Sequence, residues 1–448
     1  MGSKKEQPPL GLCYLAAMMR AKKHSVDIID AEFEDLRISE VVSRIKASKS
    51  DIVGFTCVTA TYDVTVEIAK GVKGYDSDIL TLIGGPHISA EPETTLSTGF
   101  FDIGIIGEGE QTVVELLDAI EKDIPLERVD GIIYRGPNSI VKTRPRKPIE
   151  DLDQLPYPAR DLLPDIRLYK PSSKNYKRLP TTTMVTSRGC PFGCKFCDQS
   201  VFGRRYRQNT AEHVVNEIKI LVKEFGIREI FFTEDTFTVD KERVEKICNL
   251  ILEENIDIAW RCCTRVNLVT KDLLKKMKKS GMWHVYYGLE SGNQDILDLL
   301  GKGITLKQIR DAIRWSDELG IYTQGAFMIN HPTETHETIR ETIDFAKSLR
   351  LTELSVLMLA PMPNTEFRNM CGSYGSFDNS DFTKMNPWQP IFVPKGLTKE
   401  YLEKKRKDFY REFYFRPQAL CRILRHINTL SDFKRVLDRV KTIKTIFT

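Results

Sequence analysis

The sequence predicts an α/β architecture: a doubly wound (Rossmann-like) domain, a (β/α)6 partial TIM barrel, and a mostly helical C-terminal segment. Three observations predict it. Apolar runs of strand length alternate with amphipathic stretches over residues 1–145, the pattern of parallel strands covered on both faces. A second alternating series of six units fills residues 181–375. Residues 376–448 are rich in Lys, Arg and aromatics, with helical periodicity from about residue 398.

In the first domain the predicted strands are residues 25–30 (SVDIID), 51–58 (DIVGFTCV), 79–84 (ILTLIG) and 102–107 (DIGIIG). Each is a short apolar run that ends in Gly, Asp, Thr or Val. Helical patterns over 38–49 and 62–73 separate them. Residues 146–180, with Pro148, Pro156, Pro158, Pro164 and Pro171, read as an extended linker laid over the surface. The second series has predicted strands at 183–187, 229–233, 258–262, 284–289, 325–329 and 354–359. Helices over 210–225, 241–254, 271–280 and 305–319 lie between them. Six units in order suggest a partial barrel, although spacing alone does not separate it from a second open sheet. The C-terminal segment carries Lys404, Lys405, Arg406, Tyr410, Phe413, Tyr414 and Phe415. It either closes the barrel's open side, meets a partner, or is a solvated helix with a core stripe; the last is favoured.

Composition narrows the class. Apolar residues make up 41% and charged residues 29% of 448, an ordinary globular profile. The net charge of +4, from 66 basic and 62 acidic residues, argues for neither nucleic acid nor membrane. No apolar run reaches the length of a membrane span, and residues 1–9 have no signal-peptide core. Ten cysteines are too sparse for a secreted disulfide framework, so reduced thiols in the cytoplasm are expected.

Parallel sheets bind ligands at the carboxyl ends of their strands. In the first domain those ends carry Thr56, Thr59 and Thr61, then Gly84, Gly85, Pro86 and His87, then Gly107, Glu108, Gly109 and Glu110. Any one of these glycines alone reads as a tight strand-to-helix turn. Together, at the same end of successive strands, they predict a pocket.

The sharpest signal follows the first barrel strand: Cys190, Cys194 and Cys197, spaced C-x3-C-x2-C and flanked by Gly189 and Gly193. Thiolates ligate iron–sulfur clusters, and a cubane normally takes four. Three leave one iron open, as a metal that engages a substrate requires. The glycines would let the loop wrap the cluster with its amides toward sulfur. A structural zinc site wants four ligands, and the remaining cysteines offer no second C-x2-C.

These residues resemble the radical S-adenosylmethionine superfamily, over about residues 181–366. The resemblance implies a [4Fe–4S] cluster on Cys190, Cys194 and Cys197, whose open iron is chelated by S-adenosylmethionine. Reduction would then cleave that cosubstrate to methionine and a 5′-deoxyadenosyl radical. It further implies Phe196 beside the adenine, Glu234 and Asp235 at the amino group, Glu290 of a GxESG-like strand end at the ribose, and Lys302 near the carboxylate. Asn330 and Thr333 depart from the family pattern, which has glycines there, and are expected to reshape that wall of the pocket. His331 is either a substrate-side acid or base or a plain strand-end histidine; the plain reading is favoured.

The first domain resembles the cobalamin-binding module of one subclass of that superfamily. Pro8, Pro9, Leu10 and Gly11, the strand-end motifs, Pro92 and Glu93, and residues 155–161 (LPYPARD) carry the likeness. It implies cobalamin contacts from Thr56, Thr59, Gly84, Gly85, His87, Gly107 and Glu108. No D-x-H-x-x-G occurs, so no histidine is expected on the cobalt. The family's opening apolar strand has no counterpart, because residues 1–7 (MGSKKEQ) lack strand character. Its absence is expected to leave ladder groups unpaired and open the sheet.

The implied function is radical-initiated chemistry, with methyl transfer to an unactivated carbon where cobalamin binds. Without cobalamin the alternative is cyclisation, oxidation or rearrangement; a noncatalytic iron–sulfur or corrinoid-binding protein is a third reading. The expected partners are a small-molecule or peptide substrate and an external electron donor such as flavodoxin or ferredoxin. No nucleic-acid motif is present.

Overall fold

The computed structural model describes residues 7–378 and 382–427. The first sheet runs in the order β1 (Ile52–Thr56), β2 (Leu80–Gly84), β3 (Ile103–Ile105), β4 (Ile132–Arg135), β5 (Ile140–Lys142). The first three strands are parallel and the last two antiparallel. Helices cover both faces. Leu15, Val113 and Leu116 pack on Leu82, Ile103 and Ile105 from one side, and Val41, Ile45 and Val72 meet Val53 and Ile79 on the other. The β4–β5 hairpin was not predicted; its turn closes through Gly136 N–H to the Ser139 carbonyl.

The strand predicted over residues 25–30 does not form. The segment has no regular structure, and its side chains divide between two clusters, Val26 and Ile28 joining Ala16 and Ala17 while Ile29 joins Val53. It pairs with no strand among the described residues, and β1 is the edge of its sheet. A strand exists only with a ladder partner, and among the described residues none lies alongside this segment. Residues 1–6 lie outside the described residues.

The second sheet is made of β6 (Thr181–Met184), β9 (Glu229–Phe232), β10 (Ala259–Thr264), β11 (Met282–Glu290), β12 (Tyr322–Ile329) and β13 (Glu353–Met358), while β7 (Ser187–Arg188) and β8 (Arg207–Gln208), between β6 and β9 in the chain, form a separate pair. Its spatial order, β6 to β9 through β13, follows the chain without reversal, and every neighbour is parallel. A doubly wound sheet would reverse direction at a switch point; this one does not, so it is the partial barrel. β14 (Gly375–Phe377) and β15 (Phe392–Pro394) form a separate antiparallel pair.

A partial barrel has two edges, and both are covered. Along β13, the backbone N–H groups of Leu354 and Val356 donate to the hydroxyls of Tyr414 (3.1 Å) and Tyr410 (2.9 Å). Both tyrosines lie on helix Lys399–Tyr414, four residues apart on one face. The same helix buries Leu402, Phe409 and Phe413 in the main core. The favoured core stripe is therefore present, and the helix also closes the barrel's side; the predicted helix beyond residue 427 lies outside the described residues. At β6, buried Arg160 donates to the Thr183 carbonyl (3.1 Å) and pairs with Glu217 (2.6 Å). The linker that supplies Arg160 packs apolar side chains inward. It buries Leu152, Leu155, Ile166 and Tyr169, and the Tyr169 hydroxyl donates to Asp30 (2.6 Å).

Candidate active site at the strand ends

The three cysteines sit on the loop between β7 and β8. Gly189 turns the chain at φ +78°, and a Cβ there would lie 2.2 Å from the Arg205 carbonyl oxygen. Only glycine allows the two arms of the loop to approach so closely. The Gln199 amide donates to the carbonyls of Cys190 and Phe192 (both 3.1 Å), and the Cys197 N–H donates to the Cys194 carbonyl (3.1 Å). Lys195 N–H reaches the Leu300 carbonyl (3.0 Å), which ties the loop to the end of the helix after β11. Burial pushes the Cys190 thiol up and the Cys197 thiol up to about 12. Iron binding must therefore release their protons.

Among the described residues no three His, Cys, Asp or Glu side chains converge to hold a single metal ion. Thiolates that each bind a different iron of a cubane need no such convergence, whereas a zinc ion does. The donor set fits the cluster.

Around the triad the structure gathers most of the expected cosubstrate residues. Glu290 ends β11 with φ +64°, in the left-handed region, and its carboxylate meets Lys302 Nζ at 2.5 Å; both are buried. The Lys302 ammonium lies 5.8 Å from the Phe196 ring centre. Backbone in this sparsely allowed region clusters at functional sites. Asp235 is exposed at the end of the second barrel strand. After burial, its charge is the largest influence raising the Cys197 thiol, which places it beside the cluster loop. Glu234 is not open in the same way. It is buried, accepts from the Thr186 hydroxyl (2.5 Å), and burial raises its carboxyl to about 7. Its Oε2 has no hydrogen-bond partner.

Asn330 does not reshape the pocket wall. It adopts φ +68°, the conformation a glycine would supply, and asparagine tolerates it best among residues with a side chain. Its amide turns into the protein, donating to the carbonyls of Leu359 (3.0 Å) and Phe392 (2.7 Å) and accepting from Leu359 N–H (2.7 Å). Thr333 is exposed and unstrained. His331 is buried, and burial pushes its imidazole down to about 4, so it is neutral near pH 7.

Sequence reasoning missed Arg265, which follows β10. Its guanidinium is buried, stacks 3.8 Å from the Phe192 ring centre, and brings Nη1 to 3.5 Å from the Cys194 sulfur. Nη2 donates to the Lys302 carbonyl. The rule that barrel function sits at the carboxyl ends of strands was the signal that could have found it.

In the first domain, Gly85 at φ +99° brings the ends of β1 and β2 together; a Cβ there would meet the Cys57 carbonyl and the Thr56 hydroxyl, each at 3.0 Å. Thr56 is exposed, and Val58 beside it is 49% exposed, an apolar lip suited to a large flat ligand. The φ +76° turn at Gly107 faces the cluster loop, 3.6 Å from the Val201 carbonyl to where its Cβ would be. These strand ends fit a corrinoid.

Three residues expected to touch it, Thr59, His87 and Glu108, are buried. His87 is fully buried, 3.3 Å from the Thr59 hydroxyl and covered by Tyr62 and Phe382. Glu108 is also buried, with both carboxylate oxygens taken by Arg188, Arg207 and the Ile149 N–H.

Comparisons with known proteins agree with this geometry. The Radical SAM superfamily matches residues 184–346, and the B12 binding domain matches residues 3–117. An uncharacterized methyltransferase of Pyrococcus horikoshii is 37% identical over 417 residues, 93% of this chain and 89% of that protein. The anaerobic magnesium-protoporphyrin IX monomethyl ester cyclase of Rubrivivax gelatinosus is 31% identical, over 92% of this chain and 75% of the cyclase. Among solved structures, the cobalamin-dependent S-adenosylmethionine radical enzyme OxsB, with aqua-cobalamin and S-adenosylmethionine bound, shares the fold. Its TM-score is 0.78 at 18% identity, covering 98% of this chain and 69% of that one.

Proposed function

Because the chain belongs to the radical S-adenosylmethionine superfamily and carries a B12-binding domain ahead of its radical domain, we propose that it methylates an unactivated carbon in a cobalamin-dependent reaction. The substrate is a small molecule or a peptide. The observation that carries this reading is the approach of the Gly107 turn to the cluster loop at Val201. It sets the strand ends of the first domain beside the cluster loop.

When bound, the cluster and S-adenosylmethionine supply a 5′-deoxyadenosyl radical for hydrogen abstraction, and cobalamin supplies the methyl group. The chain's own residues bind and orient. Cys190, Cys194 and Cys197 hold three irons. Asp235 accepts from the cosubstrate's ammonium, Lys302 faces its carboxylate, Glu290 its ribose, and Phe196 flanks its adenine. Thr56, Gly84, Gly85 and Gly107 line the corrinoid. The cluster needs one-electron reduction by an external donor such as flavodoxin or ferredoxin. All ten cysteines are free thiols, which suits the reducing cytoplasm.

The cyclase relative favours one second reading, radical cyclisation on the same cluster. Anaerobic reconstitution with iron, sulfide and hydroxocobalamin tests both. Retention of the corrinoid through gel filtration, with 5′-deoxyadenosine formed on adding dithionite and S-adenosylmethionine, is expected. Loss of the corrinoid would remove the methylation reading, and absence of 5′-deoxyadenosine would remove the radical one.

A further inference from the structure

The neck of the cluster loop is an unusual piece of ladder. β7 and β8 pair antiparallel with Arg188 directly opposite Arg207, and everything between them, including all three cysteines, hangs from that pair. Both arginines are buried. Like charges facing each other across a ladder repel, and buried charges demand partners. The partners come from the other domain. Arg188 donates to Glu108 (3.0 Å) and Glu110 (2.5 Å), and Arg207 donates to both oxygens of Glu108 (2.9 and 2.8 Å). The Ile149 N–H adds a third donor to Glu108 (2.7 Å), and Arg207 also reaches the Ile149 carbonyl (2.6 Å). Burial alone would raise the Glu108 carboxyl, but the arginines outweigh it and hold it below the usual carboxylate range.

We infer that Glu108 is a positioning residue for the iron–sulfur loop: it clamps Arg188 to Arg207 and so fixes the orientation of Cys190, two residues beyond Arg188. A domain that supplies no cluster ligand thereby sets the cluster's surroundings. The inference rests on the three cysteines holding the cluster.

The test uses full-length, anaerobically reconstituted Glu108→Gln, Glu108→Asp and, as a stability control, Glu217→Gln, which breaks the buried Arg160 pair away from the neck. The readouts are the electron paramagnetic resonance spectrum of the reduced cluster and the rate of iron loss to a chelator. Glu108→Gln should shift the g-values and speed iron loss about tenfold. Glu108→Asp should restore part of the difference, and Glu217→Gln should lower the melting temperature without altering the spectrum. A wild-type spectrum and rate in Glu108→Gln, or the same changes in Glu217→Gln, overturns the proposal. If Glu108→Gln does not fold, Glu110→Gln, which removes the negative charge that faces Arg188, must shift the spectrum in the same direction, and a wild-type spectrum there overturns it equally. Cys190→Ala should abolish the cluster's absorbance. Retention would show that the ligand assignment is wrong, whatever the clamp variants do.

Discussion

The guanidinium of Arg265 lies 3.5 Å from the sulfur of Cys194, buried and fixed by its stack on Phe192. A permanent cation against a cluster thiolate favours the more negative, reduced cluster, and away from water the effect is weakly screened. Arg265→Gln should lower the cluster's midpoint potential by on the order of 60 mV, the one-electron equivalent of a tenfold change. Arg265→Lys should keep most of the wild-type value. A redox titration followed by paramagnetic resonance measures both, with iron content as the check that the cluster is present.

Asn330 combines a left-handed backbone with three buried hydrogen bonds. Asn330→Ala loses the bonds and pays the left-handed penalty as well, roughly 2–4 kcal/mol in all. Asn330→Gly loses only the bonds and should be the more stable of the two by about 1 kcal/mol. Denaturant unfolding of the pair gives the difference, and the opposite ranking would refute the account.

The tyrosine hydroxyls on β13 act at single amides. Tyr410→Phe leaves the Val356 N–H without its acceptor, and Tyr414→Phe does the same to Leu354. Each is expected to cost roughly 1–3 kcal/mol. Hydrogen exchange should rise at the matching amide in each variant and stay unchanged at the other.

Glu334 is buried and accepts from the His331 N–H (2.9 Å), and burial raises its carboxyl from about 4.5 to about 8. Between those values the folded chain holds a proton that the unfolded chain has released, so this group's contribution to stability falls as pH rises through 8. His331 and His87, pushed down to about 4 by burial, act in the opposite sense. They do so only up to about 6.5, the ordinary histidine value. Glu234, raised to about 7, acts in the same sense as Glu334 up to that value, so the clear window is pH 7–8. There Glu334→Gln should flatten the decline in melting temperature; parallel wild-type and variant curves would disprove the assignment.

Much of the molecule was legible because its signals are local. The C-x3-C-x2-C spacing, the six barrel strands and the strand-end glycines depend on neighbours in sequence. What the sequence hid depends on partners far away in it. Residues 25–30 have every local mark of a strand, yet strand formation depends on what lies alongside. Glu108 sits in a glycine-rich strand end that reads as ligand-binding, but its partners Arg188 and Arg207 lie 80 and 99 residues on. Tyr410 and Tyr414 read as a core stripe because periodicity shows which face is apolar and not which backbone the hydroxyls will meet.

The pairing of Glu290 with Lys302 also has a consequence for loading. Each is the other's counter-ion, so on the proposed assignment a zwitterionic amino-acid group would enter by exchange: its carboxylate would take over the ammonium, and the glutamate would be released to the sugar. Such a swap leaves the local charge nearly unchanged. On the same assignment Asp235, which makes no ion pair among the described residues, would supply the negative charge that meets the net cation S-adenosylmethionine is as a whole. A product without the sulfonium loses that match, and the site would release it by charge alone.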